Sequence, residues 1–372
     1  MSDFDFEKIL KAALKIGASD IHLKVSKSPV FRIDGKLVQL KDAPALKDSD
    51  LRETAVSIMN EWQKEDFHKN LDVDLAYSIP GVSRFRVNIF HQRGSISMAI
   101  RAVPTVIRSF ESLNLPPVIE KIANEERGLI IVTGTTGSGK STTLASIIDY
   151  INRRKARHIV TIEDPIEYLQ SDHLSYINQR ELGIDTRSFH RSIRAAMRED
   201  PDIILVGELR DLETMETCLA AAETGHLVLT TLHTLDAQET LNRMLTVFPA
   251  HQHNQVRFQL AQVLKAILCQ RLIPTAEGGG RVPAVEVLIA TSRIKDLISD
   301  PLRTKEITTA IKEGNLHYGM QTFDQCLFDL YNRELITYDE AMRQATNKDD
   351  LALRIQGITS GSVSVDHFDV GR

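Results

Sequence analysis

The sequence predicts an α/β protein of two domains, the second of which is built on a mostly parallel sheet. From about Ile119 onward, short apolar runs alternate with helical patterns, which is typical of a parallel sheet with crossover helices. Four of these apolar runs are short, continuous and bounded by turn residues, as in strands that are covered on both faces: 129–132, 159–162, 203–206 and 227–229. A proline-containing segment precedes this region, and 372 residues suffice for two domains.

Residues 1–103 predict a small α/β domain. Its first helix is indicated by apolar residues at helical spacing before Gly17: Phe6, Ile9, Leu10, Ala13 and Leu14. Strand-like runs and one further helix follow: strands at 21–25, 30–33, 37–40, 84–90 and 95–102, and the helix at 49–60. Asp34-Gly35 is typical of a hairpin turn between two of the strands. Residues 104–117, with prolines at both ends, are expected to be an interdomain linker.

Residues 118–290 are expected to form the core of the second domain. Within it, apolar positions between 256 and 268 predict a long amphipathic helix. Further helices are expected in a C-terminal helical region at 291–356. The tail at 357–372 is rich in Ser, Gly and Asp, which predicts a flexible extension.

The composition is that of an ordinary globular protein, with 42% hydrophobic and 26% charged residues. The net charge of -5 disfavours a nucleic-acid partner, although it does not exclude a local basic patch. The sequence has no apolar run of about 18 residues and no signal peptide at its acidic start. Its three cysteines, Cys218, Cys269 and Cys326, form no CxxC pair, which suits a reducing compartment. We therefore expect a cytoplasmic protein.

A complete phosphate-binding motif, GxxxxGK[ST], lies between a predicted strand and a predicted helix. It runs Gly134-Thr135-Thr136-Gly137-Ser138-Gly139-Lys140-Ser141 and is followed by Thr142. Its glycines let backbone N–H groups point at phosphates, and the N-terminus of the next helix adds partial positive charge. We expect Lys140 to reach the β- and γ-phosphates, Ser141 to bind Mg²⁺ and Thr142 to contact the α-phosphate. A chance match is the alternative, which the strand-to-helix setting opposes. ATP and Mg²⁺ are the predicted ligands.

Acidic residues follow two of the predicted parallel strands. Glu163 and Asp164 come after 159–162, and Glu208 comes after 203–206 and Gly207. Ligands of such sheets lie at the carboxyl ends of the strands, and hydrolysis needs acids near the γ-phosphate. Both positions are therefore candidates, although either acid could simply cap a loop or a helix.

Two histidines flank the predicted strand at 227–229. His226 precedes it, and His233 follows it within Thr230-Thr231-Leu232-His233-Thr234. A lone histidine is more often structural than catalytic, and neither has metal-ligand spacing. From the residues alone, the role of both stays open.

Three segments, in this order along the chain, resemble the motifs of secretion ATPases that power type II secretion and type IV pili. Residues 161–167 resemble the acidic box of this family, 197–208 its signature, and 223–234 its histidine box. The likeness covers nearly the whole chain. Four further segments resemble the retraction branch, the PilT/PilU type: 18–23, 83–88, 178–181 and 319–322. Assembly ATPases of this superfamily are longer and usually carry four zinc-binding cysteines, which this chain lacks.

The resemblance implies a PAS-like N-terminal domain and a RecA-like P-loop ATPase domain with a helical C-terminal extension. It further implies an ATP-hydrolysing homohexamer that drives type IV pilus retraction. Glu163 would polarise the attacking water, and Glu208 would lie near Mg²⁺. His226 and His233 would sense the γ-phosphate or link it to neighbouring elements. Arg86 and Arg101 would approach the nucleotide, for which the planar guanidinium group is suited. Solvated surface arginines are the alternative for the latter pair.

The implied partners are an inner-membrane pilus platform protein and a second retraction ATPase, with peripheral association at the inner membrane. Two features leave the position within the branch open. Residues 292–298 match the retraction motif only loosely, and 319–325 and 349–355 resemble PilU-like accessory members. An accessory retraction ATPase of the PilU type and a secretion ATPase of another export system are the alternatives.

Overall fold

The computed structural model describes residues 4–33, 35–40 and 43–357, and it divides into two compact units. The first unit covers the chain up to Val106 together with Ile166–Leu169. The second covers Ile107–Pro165 and the chain from Gln170 onward. The predicted turn residue Asp34 and the predicted flexible tail beyond Gly357 lie outside the described residues. Within the described ranges, no helix is both long and apolar enough to span a membrane.

The first unit is a six-stranded antiparallel sheet with three helices. Its strands are β1 (Asp20–Lys24), β2 (Val30–Ile33), β3 (Lys36–Gln39), β4 (Asp72–Ile79), β5 (Ser83–Gln92) and β6 (Ser95–Ala102). Its helices are α1 (Phe6–Lys15), α2 (Asp48–Ile58) and α3 (Glu61–Asn70). The strand order is β3-β2-β1-β6-β5-β4. In α1, Phe6, Leu10 and Ala13 are buried, because their spacing puts them on one face. Alternate residues of β5, including Phe85, Val87 and Ile89, are buried in the same core.

The second unit is built on a seven-stranded sheet. Its strands are β7 (Gly128–Thr133), β8 (His158–Glu163), β9 (Tyr176–Glu181), β10 (Ile203–Val206), β11 (Leu227–Leu232), β12 (Leu264–Pro274) and β13 (Arg281–Ile289). The order is β13-β12-β7-β11-β10-β8-β9, and every neighbouring pair is parallel except β12 and β13. Every residue of β7, β10 and β11 is buried. The predicted fold class, an N-terminal domain before a P-loop domain with a mostly parallel sheet, is confirmed.

Helices cover both faces of this sheet. They are α4 (Val118–Ala123), α5 (Lys140–Asn152), α6 (Phe189–Ala196), α7 (Leu212–Glu223), α8 (Ala237–Thr246), α9 (His253–Val263), α10 (Ser292–Ser299), α11 (Ile307–Glu313), α12 (Asn315–Tyr318), α13 (Phe323–Asn332), α14 (Tyr338–Gln344) and α15 (Lys348–Ile355). Successive residues of β7 enter different cores: Leu129 and Ile131 pack in one, and Ile130 and Val132 in the other. A strand that buries both faces is expected to be largely apolar, as residues 129–132 of β7 are.

The predicted long helix at 256–268 is wrong beyond Val263. Helix α9 ends there, and Leu264, Ile267 and Leu268 belong to β12, which pairs with β7. A short continuous apolar run fits a buried strand as well as a buried helix, so spacing alone could not separate the two. The segment forms a strand because β12 lies between β7 and β13 in the sheet and pairs with both.

The predicted linker at 104–117 contains side chains that are held in the second unit. Phe110 and Leu115 are only 5% and 7% exposed and lie in the same core as Ile130. The ring of Phe110 stacks on Tyr150 with a centroid separation of 5.0 Å. From Ile107 onward, the segment therefore belongs to the second unit, because it contributes apolar side chains to that core.

Candidate nucleotide site

The phosphate-binding motif forms a tight turn between the end of β7 and the start of α5. Gly134 has φ +140°, and a Cβ atom there would lie 2.3 Å from the backbone oxygen of Gln270 and 2.5 Å from Oγ of Ser138. Only glycine fits this close approach. The other predicted residues of the turn, Thr135, Thr136, Gly137, Ser138 and Gly139, precede α5, and Ser141 and Thr142 lie in its first turn. The N-terminus of α5 therefore lies in the turn, as an anion site requires.

Lys140 is held against the backbone of this turn. Its Nζ donates to the carbonyl oxygens of Gly134 at 2.7 Å and Thr135 at 3.1 Å. Burial lowers the pKa of Lys140, and the negative charge of Glu208 partly opposes this. Burial disfavours the charged ammonium form of Lys140. An anion bound next to Lys140 would favour that form again, because opposite charges attract.

Glu208 and His233 form a chain of contacts with Lys140. Oε1 of Glu208 lies 3.3 Å from Nε2 of His233, whose Nδ1 lies 3.5 Å from Nζ of Lys140. An ammonium group only donates and a carboxylate only accepts, so this geometry fits the His233 tautomer with its proton on Nε2. Oε2 of Glu208 accepts from Nε of Arg210 at 2.8 Å. Three predicted site residues are thus brought together at the carboxyl ends of β7, β10 and β11.

Glu163 lies at the carboxyl end of β8, next to β10 in the sheet. Its Oε1 accepts from Oγ1 of Thr161 at 2.7 Å and from Nε2 of Gln179 at 3.2 Å. The backbone N–H of Gly207 donates to the oxygen of Ile162 at 2.8 Å. A Cβ atom at Gly207 would lie 3.3 Å from Cα of Glu163, so a glycine there allows the two strand ends to approach closely. Glu163 and Glu208 consequently emerge from neighbouring strands at the same edge.

Gln270 of β12 is a site residue that sequence reasoning missed. It is 3% exposed, and its Oε1 accepts from Oγ1 of Thr143 in α5 at 3.0 Å. Its Nε2 would lie 3.2 Å from a Cβ atom at Gly139, and its backbone oxygen approaches Gly134. One residue thus braces both ends of the phosphate-binding turn. The available signal was a glutamine that follows directly on an apolar run, but that run was assigned to a helix.

His226 lies at the opposite edge of the sheet from Lys140. Its backbone oxygen accepts from the N–H of Gly128 at the start of β7, and its Nδ1 lies 2.9 Å from the oxygen of Ala221. The six residues of β11 lie between it and His233, so the two are roughly 23 Å apart at about 3.3 Å per residue step. Within one chain, the structure does not bring His226 to the other predicted site residues. The two histidines share a motif but lie at opposite ends of an extended strand.

Around His226 lies a polar cleft of about 510 Å³. It is lined by Glu126, Arg127, Arg157, Pro201, Asp202, Thr224, Gly225 and His226. Nη1 of Arg157 and Oδ1 of Asp202 form an ion pair at 2.8 Å. The amino edge of the sheet therefore carries its own charged groups.

Arg86 and Arg101 lie directly opposite each other on β5 and β6 of the first unit. Nε of Arg101 donates to Oδ1 of Asp20 at 2.8 Å, and Nε of Arg86 lies 3.9 Å from Oδ1 of Asp74. Burial pushes the pKa of Asp20 upward, but hydrogen bonds from Ser19 and Arg101 outweigh it and leave the pKa below its usual value. Like charges directly opposite each other on a sheet repel. Each guanidinium group lies near a carboxylate of its own unit, and these negative charges offset the repulsion between the two arginines.

Comparison with known proteins gives concordant matches along the chain. Residues 4–344 match the family described as Type II/IV secretion system protein. The chain is 43% identical to the type IV pilus retraction ATPase PilT of Pseudomonas aeruginosa over 341 residues, which cover 92% of this chain and 98% of the relative. It is 41% identical to the type IV pilus ATPase PilU of the same organism over 352 residues, covering 95% and 91%. A crystal structure of the pilus retraction motor PilT with bound ADP matches with a TM-score of 0.86 at 46% identity, covering 94% and 99%.

Proposed function

The chain belongs to the type II/IV secretion system protein family, and from that premise we propose that it is an ATP-hydrolysing motor that drives type IV pilus retraction. The observation that carries this proposal is the match to PilT, at 43% identity over 92% of this chain and 98% of the relative. The contacts that join Lys140, His233 and Glu208 support hydrolysis by the same residues that the sequence predicted.

The phosphate-binding turn and Lys140 bind the phosphates of ATP. Backbone N–H groups at the start of α5 and the ammonium group of Lys140 supply positive charge to the phosphate oxygens. Ser141 and Glu208 are the residues that would hold Mg²⁺, and a hydroxyl with a carboxylate suits its preference for oxygen ligands. Across the described parts of the chain, no group of three or more His, Cys, Asp and Glu could hold a metal. Mg²⁺ usually takes one or two carboxylates together with substrate phosphates. The ion, when bound, neutralises charge that develops on the phosphates.

Glu163 orients and polarises the water that attacks the γ-phosphate. The hydrogen bonds from Thr161 and Gln179 fix its carboxylate at the end of β8. His233 responds to the γ-phosphate because it contacts both Lys140, which binds that phosphate, and Glu208. Loss of the γ-phosphate thus changes the contacts of one connected group of side chains, as in other nucleotide switches.

Arg86 and Arg101 supply positive charge to the nucleotide during turnover. Their side chains are 46% and 66% exposed and lie side by side, which supports a role in binding an anion. The remaining parts of the proposal rest on the family. The chain works as a homohexamer on the cytoplasmic side of the inner membrane and acts on the pilus platform protein.

A strain that lacks this chain tests the proposal. Purified wild-type protein should hydrolyse ATP, and the Glu208→Gln variant should lose at least about 100-fold of the rate, since the acid lies at the site of charge development. Complementation with wild type should restore pilus retraction, whereas Glu208→Gln should leave pili accumulating. Glu306→Gln, which changes an exposed acid paired with Arg303, is the matched control and should behave as wild type. Normal retraction in the deletion strain would contradict the proposal.

An accessory role of the PilU type is the second candidate, because the match to PilU covers 95% of this chain at 41% identity. The two candidates differ in what the chain does alone. A main motor retracts pili in a strain that contains no second retraction ATPase, whereas an accessory ATPase needs the other motor. Force measurements on pili in such a strain, with and without this chain, separate the two.

A further inference from the structure

Glu286 is a buried acid outside the group of residues discussed above. It lies in β13 between Val285 and Val287 and is 5% exposed. Its Oε1 accepts a hydrogen bond from the backbone N–H of Ala237 at 2.9 Å. Burial raises the pKa of Glu286 to about 7, and the bond from Ala237 acts against this rise. The charge of Arg271 and a hydrogen bond with Cys269 also favour the carboxylate form of Glu286, whereas the charge of Asp236 disfavours it. An acid is costly to bury, so this position calls for an explanation beyond packing.

The partner of Glu286 is the first residue of α8, four residues after His233. Local hydrogen bonds shape this turn: Oδ1 of Asp236 accepts from the N–H of Glu239, and Oε2 of Glu239 accepts from the N–H of Leu235. These bonds stay within the turn itself, whereas the bond to Glu286 joins the turn to the sheet. Glu286 therefore fixes where the segment from His233 to Ala237 lies relative to β13.

The neighbours of Glu286 in β13 hold a second segment. Val287 exchanges two backbone hydrogen bonds with Gln321, at 2.8 and 3.1 Å. Nε2 of Gln321 donates to the oxygen of Val285 at 2.7 Å. Residues 319–322, which sequence analysis singled out without a role, are therefore fixed to β13 on both sides of Glu286. Thr322 then caps α13, the first helix after this segment.

We propose that Glu286 is a positioning residue, which holds His233 in place through Ala237 and links it to residues 319–322. The two connections leave from adjacent positions of one strand, so a shift of β13 moves both. Displacement of residues 319–322 would consequently change the position of His233 against Lys140 and Glu208. Movement of the C-terminal helices can thereby change the position of His233 without any direct contact between these helices and the nucleotide. This inference rests on the proposed ATP hydrolysis for its kinetic part only.

Two substitutions at Glu286 separate its hydrogen bond from its charge. Glu286→Gln keeps an oxygen acceptor for Ala237, whereas Glu286→Ala removes it. In full-length protein without nucleotide, we expect Glu286→Ala to raise amide hydrogen exchange in residues 233–240 about tenfold, as loss of one anchoring bond implies. Its kcat for ATP should fall about tenfold with KM within about twofold, because the loss concerns His233 rather than phosphate binding. Glu286→Gln should stay near wild type in both measurements.

Two further variants complete the test. Glu313→Ala makes the same change at an exposed acid that pairs with Arg293, and it should leave exchange in residues 233–240 unaltered. Gln321→Ala removes the bond to Val285, and it should raise exchange in residues 233–240 about threefold, a smaller effect because the bond to Ala237 remains.

Unaltered exchange in Glu286→Ala, or an equal effect of Glu286→Gln and Glu286→Ala, would overturn the positioning role. If Glu286→Ala does not fold, the test rests on Gln321→Ala. Unaltered exchange in residues 233–240 of that variant would overturn the proposed link between residues 319–322 and His233. A third outcome is that the variants show the expected exchange pattern but the wild-type protein does not hydrolyse ATP. That outcome would support the positioning role and contradict the proposed function.

Discussion

The two ends of β11 carry the same kind of side chain in different surroundings. At the carboxyl end, His233 contacts Lys140 and Glu208 at 3.5 and 3.3 Å. At the amino end, His226 bonds to the backbone oxygen of Ala221 and lies beside a polar cleft. The two histidines belong to one sequence motif, but the strand between them places them at opposite ends of β11 and in different surroundings. In a parallel sheet the groups that bind a ligand gather at one edge.

The largest expected effect on ATP binding is at Lys140, at the carboxyl edge. Lys140→Ala should weaken ATP binding about 100-fold, since it removes a charged donor to phosphate. Lys155 precedes β8 at the other edge and also donates to a backbone oxygen, that of Asn124, at 3.1 Å. Lys155→Ala is thus a matched control and should leave affinity within about twofold. Titration with a fluorescent ATP analogue measures both, and equal losses would refute the assignment of the nucleotide to the carboxyl edge.

The next largest expected effect is on kcat, and it should differ between substitutions of the two histidines. His233→Ala should lower kcat about tenfold, because it removes the side chain that joins Lys140 to Glu208. His226→Ala should lower kcat by less than about twofold, while losing on the order of 1 kcal/mol of stability with its bond to Ala221. Steady-state hydrolysis and thermal unfolding of both variants test this. A greater loss of kcat in His226→Ala would show that the amino edge takes part in turnover.

A smaller effect is expected at Gln270, which braces the phosphate-binding turn. Gln270→Leu leaves the hydroxyl of Thr143, 1% exposed, without its acceptor and should cost about 1–3 kcal/mol of stability. Its KM for ATP should rise about threefold, as the turn loses part of its support. Thr143→Val removes the other partner, so the double variant should be destabilised by less than the sum of the two single variants. Chemical denaturation of all four proteins measures this coupling. Additive effects would mean that the bond does not support the turn.

Sequence reasoning located the phosphate-binding turn, Glu163 and Glu208 because each rests on a local rule. The turn is a contiguous motif, and both acids follow apolar strands whose carboxyl ends meet in a parallel sheet. The contacts that fix these residues are not local. Gln270 reaches Thr143 across 127 positions of sequence, and it lies on a strand whose start resembled the end of a helix. Such pairings depend on strand order, which no local pattern contains.

Arg86 and Arg101 are an intermediate case, because the sequence predicted the two residues but not their arrangement. The family resemblance implied that Arg86 and Arg101 both approach the nucleotide, but it gave no geometry for the pair. Strands β5 and β6 form an antiparallel hairpin, and its register puts Arg86 directly opposite Arg101. A register shift of one residue would turn the two side chains to opposite faces of the sheet. The register is held by buried residues such as Val87 and Ile100, which face each other in the core.

We propose that acids at the carboxyl edge drive the hydrolysis of ATP held by the phosphate-binding turn. The most direct test is ATP turnover and nucleotide affinity of Glu163→Gln beside wild type. The substitution keeps the shape of the side chain, so affinity should stay within about threefold, while kcat should fall by about 10²–10⁴, the usual contribution of a general base. Hydrolysis at the wild-type rate by Glu163→Gln would contradict the account.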